Sequence, residues 1–248
     1  MRRSSMTQAR FDPPSRGHSL CVPCMTTPFW SALGDEDHAA LERLGTMHPG
    51  RAAGTQLFAQ GDSSDYLIVV LRGWIKVVAH STGGYRALLA LRGPGDLLGE
   101  QAGLAGRYRT AALHTATSVD LLQVTAERFH AYARHHPTVA QALEQTLSAR
   151  LHEGDRQRAQ ITEPIAGRLA ALLLDVAARC GEPGDAPDEI RITLPLSQED
   201  LAGLVLSSLR TVSRVLERWR SEGLIVTGRR SLSLPMPERL KTLAGAGR

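Results

Sequence analysis

The stretch Leu196–Leu234 constrains the fold more than any other part of the chain. Ser197-Gln198-Glu199-Asp200 has capping-box form, a hydroxyl followed three residues later by an acid that can close the helix start. A helix carrying Leu201, Ala202, Leu204 and Val205 is expected after it, with a break at Leu206-Ser207-Ser208. Val212, Val215, Leu216 and Trp219 then repeat at i, i+3, i+4, i+7, one face of a second helix. The other face carries Arg210, Ser213, Arg214 and Arg218, and Gly223 stands where a helix stops. Leu224-Ile225-Val226, a turn at Gly228-Arg229-Arg230, and alternating Leu232 and Leu234 predict a β-hairpin. Two helices joined by a short break and followed by a basic-tipped hairpin make a winged helix-turn-helix. Ala202 is small, as a steep helix crossing requires. The second helix of such a unit can place its N-terminal residues on base edges in a DNA major groove. Arginine suits that task because it grips a guanine edge with two hydrogen bonds. Arg229 and Arg230 suit phosphate.

The charge distribution agrees. The 248 residues carry 29 basic and 25 acidic side chains, a net charge of +4, and only Lys76 and Lys241 are lysines. From Arg210 to Arg248 there are nine basic residues against three acidic ones, a balance of +6, so the excess lies at one end. A basic terminal domain points to a polyanionic partner. Hydrophobic residues make up 42%, enough for packed cores and too many for a disordered chain. No apolar run approaches the roughly 18–20 residues needed to cross a bilayer. Met1-Arg2-Arg3-Ser4 is basic but no apolar segment follows it, so a soluble, cytoplasmic protein without membrane partners is expected. No P-loop, GxGxxG, HExxH or GxSxG motif occurs, and an enzyme is not expected.

The rest of the chain reads as α+β. Residues 1–28 form an expected flexible leader, and residues 29–46 contain short helices. From Ala52 to Val124 short apolar runs alternate with glycine, as in Leu67–Leu71 before Gly73, Trp74–Val78 before Gly83-Gly84, and Arg86–Leu91 before Gly93-Pro94-Gly95. That texture predicts a small antiparallel β-roll within residues 29–136. Residues 137–162 predict a long helix that starts at Pro137 and carries Val139, Leu143, Leu147 and Leu151 as a narrow stripe. Such a stripe serves either as a dimer seam or as a packing face on its own domain. Residues 163–248 form the third unit, with a helix over Ile165–Arg179 and an acidic loop at 181–189.

The motif Leu201-Ala202 … Thr211-Val212-Ser213-Arg214-Val215-Leu216 … Gly223-Leu224-Ile225 resembles the family of the cyclic-AMP receptor protein and the fumarate–nitrate reduction regulator (CRP/FNR). So do Leu57-Phe58-Ala59-Gln60-Gly61-Asp62, Gly73 and Gly95-Asp96-Leu97-Leu98-Gly99-Glu100, and the resemblance covers roughly residues 30–240. It implies a homodimeric transcription regulator with an effector-binding roll, a dimer helix and a winged helix that reads a palindromic operator. Double-stranded DNA is the implied partner, contacted by Ser208, Arg210, Thr211, Ser213, Arg214, Arg218, Arg229 and Arg230; RNA polymerase is a further candidate partner. Two departures stand out. The family places glycine in the helix-turn-helix turn, where this chain has Leu206; a left-handed residue there costs energy, so a turn of another shape is expected. The family's reading helix often runs Ser-Arg-Glu-Thr-Val, and here it is Ser208-Leu209-Arg210-Thr211-Val212, so a different operator is expected.

In the cyclic-nucleotide branch the roll carries Gly-Glu and, after a short helix, Arg-Ser/Thr-Ala. Gly99-Glu100 and Arg109-Thr110-Ala111 match that pattern, with Arg107 a near-register alternative to Arg109. The guanidinium and hydroxyl would hold a cyclic phosphate, and Glu100 would accept from a ribose hydroxyl. Where the cyclic-AMP receptor supplies Thr-Ser to the base, this chain has Glu153, Gly154 and Asp155; Asp155 can accept from an amino group, guanine's included. The candidate effector is therefore a cyclic nucleotide, cAMP or cGMP, and an effector-independent regulator is the alternative. A redox- or metal-responsive regulator would rest on Cys21 and Cys24, with His18 nearby. The oxygen-sensing branch uses four cysteines, whereas the third cysteine here, Cys180, lies far along the chain, so no metal is expected.

Overall fold

The computed structural model describes residues 27–80, 86–105 and 108–245. A 3-10 turn at Trp30–Ala32 and helix α1 (Asp35–Leu44) precede eight strands. These are β1 (Thr46–Arg51), β2 (Gln56–Phe58), β3 (Tyr66–Arg72), β4 (Ile75–His80), β5 (Arg86–Arg92), β6 (Leu97–Leu98), β7 (Ala112–Thr115) and β8 (Val119–Thr125). A short helix, α2 (Glu100–Ala105), lies between β6 and β7. The strands form two four-stranded sheets, β1-β8-β3-β6 and β2-β7-β4-β5, antiparallel at every pairing. This is the expected roll.

Strand β3 shows why the apolar run at 67–71 is uninterrupted. Ile68 and Val70 pack inward with Phe58, Ile75, Leu98 and Leu121, while Leu67 and Val69 pack outward with Phe29, Leu41 and Phe129. A strand buried on both faces has no polar alternation. Strand β1 was not expected, since Thr46–Arg51 holds Pro49 and no alternating apolar pattern. It lies at a sheet edge, where a missing N–H is tolerated.

Helix α3 (Ala126–Ala133) begins at the cap Thr125 and leads into α4 (Pro137–Ala159). The apolar stripe of α4 serves two surroundings. Val139, Ala142 and Leu143 are buried in the outer cluster of the roll, whereas Leu151 is 65% exposed.

A 3-10 turn at Gln160–Thr162 leads to α5 (Ile165–Cys180), β9 (Gly181–Pro183) and β10 (Ile190–Ile192). Helices α6 (Gln198–Leu204) and α7 (Leu209–Ser221), strands β11 (Val226–Gly228) and β12 (Ser231–Leu234), and helix α8 (Pro237–Gly245) complete the described chain. The sheet order is β11-β12-β10-β9. The segment 181–189 is thus not all loop: its start pairs with β10 and extends the wing sheet, and Glu189 Oε2 accepts from the amides of Asp185 and Ala186. Trp219, Leu216, Val212, Leu201, Ala202, Leu169 and Leu173 form the core of this unit. The same apolar cluster includes Val78, Leu88, Leu91 and Ala116 of the roll. No helix among the described residues is long and apolar enough to cross a membrane.

Candidate DNA interface and effector cavity

Helix α6 opens with the expected capping box: Ser197 accepts from the amide of Asp200, and Asp200 accepts from that of Ser197. The turn after it corrects one expectation. Leu206 does adopt the left-handed conformation, with φ 50, and the turn keeps the glycine-type shape. Backbone bonds hold it there, Leu206 N donating to Gly203 O at 3.2 Å and Ser207 N to Ala202 O at 2.9 Å. The Arg168 guanidinium of α5 caps the end of α6 by donating to Val205 O, a contact the sequence did not disclose.

Helix α7 is anchored by Trp219, 1% exposed, with Val212, Val215 and Leu216. Its outer face does not use every predicted residue alike. Arg210 and Arg214 are exposed, and no partner for either guanidinium occurs among the described residues. Arg218 is exposed and lies 3.9 Å from Glu222, a weak surface pair. Ser208 caps the helix by accepting from Thr211 N, and the two hydroxyls bond each other at 2.9 Å. Ser213 donates to Gln198 Oε1 and ties α7 to α6. Ser208, Thr211 and Ser213 therefore already have internal partners, while Arg210 and Arg214 point to solvent. Arg229 and Arg230 form the exposed tip of the wing, between the paired residues Gly228 and Ser231, and Arg230 is left-handed with φ 64.

The second site is a cavity of about 250 Å³ between the roll and α4. Gly99, Glu100, Arg109 and Thr110 all line it. Gly99 is required there: its φ is 84, and a Cβ would lie 2.5 Å from Arg109 Nη1. Arg109 is 3% exposed and stacks over Phe58, 4.2 Å from the ring centroid. Its Nε donates to Ser64 Oγ, Nη1 to Gly99 O and Nη2 to Tyr66 O. All three acceptors are neutral, and no ion pair to Arg109 occurs among the described residues. Burial is the largest influence on Arg109 and holds its pKa below the usual arginine value. Glu100 is 1% exposed; Arg150 of α4 donates to its Oε1, while Oε2 is buried with no hydrogen-bond partner among the described residues. Arg150 also donates to Leu97 O. Two further lining residues pair with each other, Arg92 Nη2 donating to Glu153 Oε2 at 2.8 Å. Burial opposes the charge on Glu153, but Arg92 outweighs it and holds the carboxyl below its usual range.

Asp155 does not belong to this wall. It is 61% exposed and pairs with Arg158, while Arg150, Glu153, Gly154 and Gln157 line the cavity. Those four stand at i, i+3, i+4 and i+7, one helical face, and Asp155 is out of phase with it. Arg150 was missed, although this spacing relative to Glu153 was its signal. Arg107, Cys21, Cys24 and His18 lie outside the described residues. Cys180 is half-buried, donates to Val176 O, and is pushed up to about 11 by burial, as in an unreactive structural thiol.

Residues 51–136 match the cyclic nucleotide-binding domain, and residues 167–243 match the Crp-like helix-turn-helix domain. A CRP-like cAMP-activated global transcriptional regulator of Mycobacterium tuberculosis is 30% identical over 189 residues, 75% of this chain and 83% of that protein. The chain belongs to the CRP/FNR family of transcription regulators. The cyclic AMP receptor protein of Thermus thermophilus is 32% identical over 176 residues, 71% of this chain and 77% of that protein. A crystallised CRP/FNR-family regulator from the same organism superposes with a TM-score of 0.69 at 26% identity, covering 82% of this chain and all of that one. In this CRP/FNR regulator the winged helix-turn-helix is the DNA-binding element, and the roll is a domain of the cyclic-nucleotide-binding type.

Proposed function

We propose that the protein is a cytoplasmic homodimer, paired through α4, that reads a palindromic operator under control of a cyclic nucleotide held in the roll. The observation that carries the effector reading is the pairing of two incomplete charges in one cavity. Among the described residues, Arg109 is a buried cation bonded only to neutral acceptors, and Glu100 Oε2 is a buried acceptor without a donor. A buried charge without a counter-charge is costly, so a ligand that supplies the missing anion and donor gains from both. A ribose cyclic phosphate has that composition. Of the five N–H groups on Arg109, three are engaged, which leaves two for the phosphate. Thr110 offers a hydroxyl beside them, and Glu100 Oε2 would accept from the ribose 2′-hydroxyl.

On DNA, Arg210 and Arg214 take the base-reading role, Arg229 and Arg230 hold phosphate, and Ser208, Thr211 and Ser213 shape the helix that carries them. Leu151, exposed on α4, fits the seam with a second copy. Two relatives are a cAMP-activated regulator and a cyclic AMP receptor protein, which supports cyclic AMP, and the carboxylate of Glu153 in place of Thr-Ser leaves cyclic GMP equally to be tried. The test is calorimetric titration of the dimer with cAMP and then cGMP at fixed salt. Binding by the native protein that is lost in both Arg109→Lys and Glu100→Gln, with melting temperatures retained, supports the reading. Absence of heat and of thermal shift with both nucleotides overturns it.

A further inference from the structure

The β4–β5 pair works on both of its faces. A bulge between Val77 and Val78 sets the register, pairing Lys76 with Leu91, Val77 with Ala90, Val78 with Leu88 and His80 with Arg86. Val77, Leu89, Ala90 and Arg92 line the effector cavity. Val78, Leu88 and Leu91 face the other way, into the cluster that holds Leu201, Ala202 and Val205. The charged members of that second face converge on one carboxylate. Lys76 Nζ donates to Asp200 Oδ2 at 2.7 Å and to Pro195 O at 2.7 Å, and Arg86 Nη1 donates to Asp200 Oδ1 at 3.2 Å. The Asp200 side chain is 2% exposed. Gly203 then lies so close to β5 that a Cβ would stand 2.8 Å from Leu88 N. Lys76 is one of two lysines in a chain that otherwise uses arginine.

We propose that Lys76 and Arg86 are positioning residues for DNA recognition: through Asp200 they fix α6, and with it α7, against the strands that wall the effector cavity. This rests on the reading of a two-half-site operator given above. The covalent link between α4 and α5 is short, a 3-10 turn at Gln160–Thr162 followed by Pro164, so the seat of the winged helix on the roll is set by the contacts between them. The apolar contact joins the two surfaces, and the charged contact adds direction, fixing α6 at one place along β4 and β5. In a dimer it fixes the separation of the two α7 helices, and half-site spacing on DNA must match that separation.

The experiment measures spacing tolerance, a property that mere loss of stability leaves unchanged. An operator is first selected from random DNA with the native dimer. Affinity is then measured on it and on versions with one or two base pairs added or removed at the centre. Lys76→Met with Arg86→Met leaves the Ser197–Asp200 capping box intact. The pair is expected to lower affinity for the native spacing by about fivefold or more, and to shrink the native-to-respaced ratio toward one. Binding to unrelated DNA stays as before, and Lys76→Arg restores the ratio. Gly203→Ala, which favours helix α6 but sets a methyl against β5, is a second variant expected to shrink the ratio without touching a charge. An unchanged ratio in these folded variants overturns the proposal. Failure of the native dimer to select any operator would instead overturn the underlying reading.

Discussion

The effector cavity and the reading face use the same residue type in opposite ways. In the cavity Arg109, Arg150 and Arg92 are drawn inward onto carbonyls and carboxylates. On α7 and the wing, Arg210, Arg214, Arg229 and Arg230 are exposed. An inward arginine holds structure together and waits for one small anion. An outward arginine contributes little to folding and is available to a large polyanion. Arginine content alone says nothing about which role applies; the depth of each side chain and the identity of its partners decide.

This contrast can be broken by identical substitutions at the two places. Arg109→Ala leaves Gly99 O, Tyr66 O and Ser64 Oγ without their donor, so the roll should lose about 3 kcal/mol or more of stability. Denaturant unfolding measures it, and an unchanged midpoint would remove Arg109 from its structural role. Arg214→Ala should leave stability within about 0.5 kcal/mol, but weaken operator binding by about 1–3 kcal/mol and relax specificity at one base position. Retained discrimination would move base reading to another residue. Leu206→Gly releases the strain of a left-handed leucine and should stabilise the winged helix by about 1 kcal/mol; a lower melting temperature would show that the exposed side chain makes contacts of its own. The smallest effect belongs to the wing. Arg230→Ala should weaken all sequences alike and reduce the salt slope of binding by about one, and any change in base preference would contradict its phosphate role.

The sequence disclosed what local rules govern. The capping box at Ser197–Asp200 and the apolar face of α7 are set by neighbours a few residues apart, so both the helices and the arginine face were legible. The longer inner strands of the roll followed from glycine punctuation; β1, whose Pro49 hides an edge strand, and the short β2 and β6 did not. What stayed hidden depends on distant partners. Arg109 binds backbone carbonyls that no pattern marks, and Lys76 meets Asp200 across 124 positions of sequence. Asp155 stays outside this chain's own cavity wall because its helical phase differs from that of Glu153, which alignment by residue number does not take into account. At Leu206 the energetic rule held but was outweighed: backbone bonds around the turn impose a conformation that the side chain disfavours.

The account stands on coupling between the two regions, the cavity and the reading face. The most direct measurement is operator affinity of the native dimer at fixed salt, by fluorescence anisotropy, across a titration of cyclic AMP and then cyclic GMP. The account predicts that one of the two nucleotides shifts affinity by about fivefold or more, and that Glu100→Gln abolishes the shift while leaving nucleotide-free DNA binding unchanged. Equal operator affinity at all concentrations of both nucleotides would contradict it.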